Sequence, residues 1–301
     1  MHHSLRVLLT GLIDYAGLFP PAALGMLPAV RNYAAYCGGE RAWALGRFIV
    51  PASRLDEFER AAISYLPQGR EATPWRLSLL GGADLEADAS AILEFNSRHT
   101  AGAASGAAVI DTIEIKAERA DDIERAVRRL PKTLTPYIEI PIANDPDVLV
   151  RAVAEAGARA KVRTGGLSRE AFPSAPDLAR FISLCAAANV PFKATAGLHH
   201  PVRCIRPFTY DEDSPSGVMH GFLNVFLAAA FIRGGMNTAQ AAQLLEEERA
   251  EAFRFDEDGV TWRAHRLTNG QLMSARQEFA TAFGSCSFEE PIEDLKTIHL
   301  L

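Results

Sequence analysis

The chain has 301 residues, 48% of them hydrophobic, and a formal charge of -6. The apolar share suits a globular protein with a large core, and a mildly acidic chain without a basic stripe is not built for nucleic acid. No apolar run is long enough to span a bilayer, so no membrane partner is expected.

The opening, "MHHSLRVLLTGLIDYAGLFPPAALG", has the outline of a leader peptide. Its apolar run is short and ends at Asp14, so it reads as part of the fold. From residue 44 onward, short β-rich runs alternate with helical spacing. Strands are expected at 44–51, 75–82, 108–117, 135–142, the segment "ARAKVRT" (158–164) and 190–198. Helices are expected between them, at 53–66 with Ser53 as its cap, then 84–99, 119–130, 145–157 opened by Asp145-Pro146, and 175–189. Beyond residue 200 the rhythm breaks. The segment 201–217 reads as a long loop or lid, 218–235 as a strongly apolar helix ending at glycines, and "TAQAAQLLEEERAEAF" as another helix. The run 253–262 reads as a hairpin with Asp258-Gly259 at its turn.

Strict strand–helix alternation implies parallel strands with right-handed crossovers. No G-x-G-x-x-G follows an early strand, and the strands carry charges that an open, doubly covered sheet would tolerate poorly. The chain therefore reads as one α/β domain over 1–301, a (β/α)8 TIM barrel with an N-terminal extension. C-terminal helices and a hairpin over 218–301 complete it. The two missing strands are sought at 5–9 and 251–255. Cys37, Cys185, Cys204 and Cys286 show no C-x-x-C spacing, which fits reduced thiols and a cytoplasmic location.

Alternate residues of a strand share a face. Thr112, Glu114 and Lys116 fall together, as do Tyr137 with Glu139, Lys161 with Arg163, and Lys193 with Thr195. The opposite faces carry Ile113, Ile115, Ile138, Ile140, Val162, Phe192 and Ala194, which suit packing against helices. The charged faces should then converge inside the barrel and meet at its C-terminal mouth, where enzymes of this architecture place their sites. Buried charges require pairing. A lysine beside another cation in a desolvated site can act as an amine nucleophile and form a Schiff base with a carbonyl compound. Lys161 is the expected nucleophile, Lys193 and Arg163 its electrostatic neighbours, and Glu114 and Glu139 the proton carriers.

These segments, in order over about residues 10–200, resemble deoxyribose-phosphate aldolase, a class I aldolase family with a (β/α)8 barrel. "LIDYAGLFPPAA" is similar to its I-D-H-T-x-L-x-P opening and "GRFIVPAS" to its V-C-V-x-P strand. "DTIEIKA" and "TPYIEIPI" are similar to its E-I-D-x-V and K-V-I-x-E strands. "AGARAKVRTGG" resembles the strand that carries the Schiff-base lysine, and "VPFKATAGL" the strand with the second lysine. "FGSCSF" (283–288) echoes its terminal phosphate-binding turn. The resemblance implies Lys161 as nucleophile when counted back from Thr164-Gly165, whereas counting forward from "AGA" gives Val162. It also implies Lys193 as the second lysine and Glu114 at an acid/base position. Arg163 stands where the family has a small residue, and Ala196 replaces the first glycine of a pair whose second member is Gly197.

The function expected is an aldolase-like lyase acting on a small carbonyl compound, phosphorylated or not, with no cofactor. Candidate substrate-binding residues are Asp14, Lys116, Thr164, Gly165, Gly166, Thr195, Gly197, His199 and His200. One alternative is a divalent-metal enzyme using His199, His200 and His220 with Glu114 and Glu139, although the spacing matches no signature such as H-E-x-x-H. Another is a barrel without catalysis, in which 14–30 and 218–232 would form an interface of a homo-oligomer.

Overall fold

Eight parallel strands close into one barrel in the computed structural model, which describes residues 1–301. In chain order, the first seven are β1 (Ile13–Tyr15), β2 (Leu45–Pro51), β3 (Trp75–Leu80), β4 (Ala108–Lys116), β5 (Thr135–Glu139), β6 (Arg159–Arg163) and β7 (Phe192–Thr195). Between them run α2 (Met26–Cys37), α3 (Leu55–Ala62), α4 (Leu85–Arg98), α5 (Ala120–Arg128), α6 (Asp147–Glu155) and α7 (Ala175–Ala187). The barrel is thus a (β/α)8 fold with added elements. No helix is long and apolar enough to cross a membrane.

Both strands sought outside the regular series lie elsewhere. Residues 5–9 belong to α1 (His3–Leu9), whose Leu5, Leu8 and Leu9 are buried. One apolar run of that length suits a buried helix face as well as a strand. The first barrel strand is instead the three-residue Ile13–Tyr15, too short for a periodic signal. Residues 253–255 form β10, which joins β11 (Gly259–Trp262) and β12 (His265–Thr268) in a separate antiparallel sheet. The expected hairpin is present, and Asp256 closes its turn by accepting from the amides of Asp258 and Gly259. The eighth barrel strand is β13 (Ala280–Ser285), paired with β1 and β7.

Helix ends follow local chemistry. Asp84 caps α4 by accepting from the amides of Glu86 and Ala87, and Ser174 caps α7 from Asp177. Ser53 caps nothing, because Ala52–Arg54 form a 3-10 turn and α3 begins at Leu55. The lid segment 201–217 is not all loop. It holds most of an antiparallel hairpin of β8 (Cys204–Pro207) and β9 (Ser216–Met219). Helix α8 (Phe222–Arg233) is buried on nearly every side, with Phe222 and Phe226 against Phe283 of β13. Its apolar face is therefore core and not an exposed interface. Helices α9 (Thr238–Leu245), α10 (Asn269–Glu278) and α11 (Glu289–Thr297) complete the chain.

The period-2 reading of the strands holds. Ile113, Ile138, Val162, Phe192 and Ala194 pack in the main core between strands and helices. Register aligns Glu139 with Lys161 and Lys161 with Lys193, so these side chains share the inner face. In β4 a bulge breaks the alternation: Leu77 pairs with Ile110 but Ser78 pairs with Thr112, which leaves Asp111 as the extra residue.

Candidate active site

The inner faces build a ladder of alternating charge. At its foot, Asp14 of β1 accepts from the amide of Arg47 at 2.7 Å and from Lys193 Nζ at 2.5 Å. Lys193 Nζ also donates to Glu114 Oε1 at 2.8 Å, where Ser78 Oγ donates too, at 2.6 Å. The other oxygen of Glu114 lies 2.8 Å from Lys161 Nζ, which lies 2.8 Å from Glu139 Oε2. Glu139 Oε1 faces Arg163 Nε at 3.3 Å and Lys116 Nζ at 3.9 Å. Asp14, Glu114, Lys161 and Lys193 are each under 5% exposed, so the ladder is dry until it reaches the mouth.

Burial alone would neutralise such groups. It pushes the Glu114 carboxyl up, but the adjacent charges of Lys161 and Lys193 override it and hold the group well below the usual range. Burial likewise pulls Lys193 down, and Asp14 with Glu114 hold it above the ordinary lysine range. Lys193 is therefore a firmly charged ammonium, with Tyr137's ring 5.6 Å away. Glu139 feels burial upward and Lys161, Arg163 and Lys116 downward, and the cations prevail. Lys161 Nζ is the one polar group that reaches Glu139 Oε2.

Above the ladder lies a cavity of about 470 Å³ at the C-terminal ends of the strands. Lys161, Glu114, Glu139, Lys116 and Arg163 form its charged wall, and Thr195, Gly166, Gly197 and His199 also line it. Phe19-Pro20-Pro21 from the loop after β1, together with Phe208 and Met219 of the hairpin, close the apolar side. The register question is answered by position: Lys161 faces the cavity and Val162 is wholly buried on the outer side.

Several candidates stand apart from the cavity wall. Lys193 and Asp14 lie beneath it. Thr164 is fully buried, its hydroxyl given to the carbonyls of Thr195 and Ala196. Gly165 packs so closely on Gly197 that a Cβ would sit 2.7 Å from its Cα, and the turn Ala196-Gly197 has positive φ at both residues. His200 turns its Nδ1 to Asp294 at 2.5 Å, in a neighbouring cleft. The "FGSCSF" segment leads into α11, whose first turn carries Glu289 and Glu290, so its helix start opposes an anion.

The three histidines do not converge. His199 Nδ1 meets Glu290 at 2.9 Å, His200 meets Asp294, and His220 Nε2 meets the carbonyl of Pro173 at 2.8 Å. No three His, Cys, Asp or Glu side chains gather where one ion could be held. Glu290 and Tyr210 were not legible as site residues. Glu290 sits ninety-one residues along the chain from His199, and Tyr210, in the irregular tip of the β8–β9 hairpin, donates to Glu290 at 3.1 Å. Ser78 was legible by the same alternation that marks Glu114, since it shares its face with Arg76 and Leu80.

No family model matches the chain, and no curated protein matches it. Of the likeness to deoxyribose-phosphate aldolase, the closed barrel is what the structure shows.

Proposed function

We propose that the protein is a Schiff-base lyase of aldolase type acting on a small carbonyl compound, with Lys161 as nucleophile. One observation carries the reading. Lys161 is a nearly buried amine on a cavity wall, held 2.8 Å from each of two carboxylates. Composition supports it. Of the 31 basic residues only Lys116, Lys132, Lys161, Lys193 and Lys296 are lysine, and the first, third and fourth of these sit in the ladder. Arginine serves as cation almost everywhere else. Lysine differs from it in being able to shed a proton and attack carbon.

The proton has a place to go. Glu139 Oε2 is 2.8 Å from Lys161 Nζ and has no other polar partner. As Lys161 deprotonates, the largest charge holding Glu139 down disappears while burial remains, so the carboxylate's affinity for the proton rises. The neutral amine adds to the carbonyl carbon, and the oxygen takes a proton and leaves as water. The resulting iminium keeps the positive charge between Glu114 and Glu139. It then accepts the electron pair of the adjacent C–C bond as that bond breaks, while a carboxylate removes the hydroxyl proton of the leaving carbonyl fragment. Lys193 fixes Glu114 and does not compete as nucleophile, because it lies beneath the cavity wall, bonded to Asp14 and Glu114, while Lys161 faces the cavity.

Borohydride trapping tests the assignment. The protein is incubated with glyceraldehyde, dihydroxyacetone or pyruvate, reduced, digested and mapped by mass. A stable adduct on Lys161, absent in Lys161→Ala and retained in Lys132→Ala, is the expected result. No adduct with any of the three, or labelling unchanged by Lys161→Ala, refutes the assignment.

A further inference from the structure

The opposite end of the barrel holds a second polar cavity, of about 370 Å³, that the proposed chemistry does not use. Arg47, Arg76, Arg159 and Arg276 line it, together with Tyr137 and Thr281. Arg47, Arg76 and Arg159 lie near the N-terminal ends of their strands, and Arg159 is two residues below Lys161 on the same inner face. The bulged Asp111 is the one carboxylate among them. Arg47 Nε meets its Oδ1 at 2.6 Å, and Arg76 Nε meets its Oδ2 at 2.8 Å.

The other two guanidiniums have no carboxylate partner. Arg159 donates to the hydroxyl of Tyr137 at 3.0 Å, and that hydroxyl is 2.7 Å from Thr281 Oγ1. Arg276 is almost fully buried and spends its donors on main-chain oxygens: Leu8 at 2.6 Å, Thr10 at 3.3 Å, and Ala280. Burial outweighs the opposing charge of Asp14 and lowers its pKa to about 10. Four guanidiniums line the space, Asp111 is the one carboxylate that pairs with any of them, and Asp14, whose charge also reaches Arg47 and Arg276, is already paired with Lys193, so positive charge is in excess there. Like charges so placed repel unless an anion joins them. The guanidinium fork matches phosphate oxygens in pairs, which a compact ammonium does not.

We propose that this base cavity binds the phosphate group of a small ligand, with Arg159 and Arg76 as direct contacts and Arg47 and Arg276 as the fixed positive floor. The site is independent of the lyase reading, since it shares no residue with the mouth cavity.

Isothermal titration of the full chain with inorganic phosphate at matched ionic strength tests it, with citrate as the carboxylate arm. Saturable phosphate binding is expected, weakened about tenfold by Arg159→Gln, which is a loss of about 1.4 kcal/mol. Arg76→Gln should weaken it comparably. Arg76 is more than half exposed, so this variant should fold even if the loss of the Arg159–Tyr137 bond harms the first. Arg163→Gln, at the mouth, should leave binding unchanged. Absence of saturation, binding that survives both base variants, binding that depends on Arg163 instead, or citrate binding as tight as phosphate would each overturn the proposal.

Discussion

Glu114→Gln is the most informative single change in the ladder, because Glu114 stands between both lysines. At 2.8 Å and an effective dielectric constant of about 20, each contact is worth roughly 6 kcal/mol of attraction. Burying the carboxylate costs several kcal/mol in return. The amide keeps one acceptor oxygen for Ser78 or Lys193, and the lysines keep Asp14 and Glu139. The net loss should therefore fall near the about 3–5 kcal/mol typical of a broken buried pair, a large part of a total stability of about 5–15 kcal/mol. Urea unfolding followed by circular dichroism at neutral pH measures it. The pH dependence supplies a second readout. Glu114 is held well below its unfolded value, so its contribution is complete above about pH 4.3 and fades as pH falls toward its folded pKa. In that acid window the unfolded chain takes the proton first. The wild type should lose up to about 1.4 kcal/mol per pH unit on this account, and Glu114→Gln should lack that slope. A destabilisation below about 1 kcal/mol with an unchanged acid slope would show that the lysines do not lean on Glu114.

Gly165→Ala should cost about 1–3 kcal/mol, since a Cβ there would come within 2.5 Å of the Phe172 ring and 2.7 Å of Gly197 Cα. Thermal unfolding will show it, and a neutral result would mean that the two loops part easily. The thiols should be sluggish. Burial raises Cys37 and Cys204 to about 11 each and holds Cys185 well above the ordinary thiol range. Iodoacetamide near neutral pH should therefore modify none of these three rapidly, and all should become reactive in denaturant; fast labelling of any native one would contradict its burial.

The period-2 rule was enough to place Glu114, Glu139, Lys161 and Lys193 on one inner wall, because a strand carries its two faces openly in its spelling. It could not say which of them stop short of the cavity. Lys193 and Asp14 end beneath the floor because a short β1 brings Asp14 against Lys193, a contact between residues 179 apart in the chain. The strand 135–139 was legible from its apolar alternates, but 280–285, "ATAFGS", has small residues on both faces and no such contrast. The helix α1 was misread for a related reason: the run Leu5-Arg6-Val7-Leu8-Leu9 is too short for its apolar residues to tell one period from the other. The partners of His199 and His200 come from α11, about ninety residues away, and no local pattern announces a contact of that span.

The extra residue in β4 gives that strand a joint. Below it Ile110 points outward, above it Thr112 points inward, and Asp111 takes up the difference. Deleting any one residue higher in the strand, such as Ile113, would turn Glu114 to the helix side and break the ladder. Deleting Asp111 would not, because Ile110 and Thr112 would then be ordinary neighbours on opposite faces. The lower half of the strand can thus gain or lose a residue over evolutionary time while the upper half keeps its phase. The forfeit for doing so would fall on the arginines at the base, which would lose the one carboxylate they share.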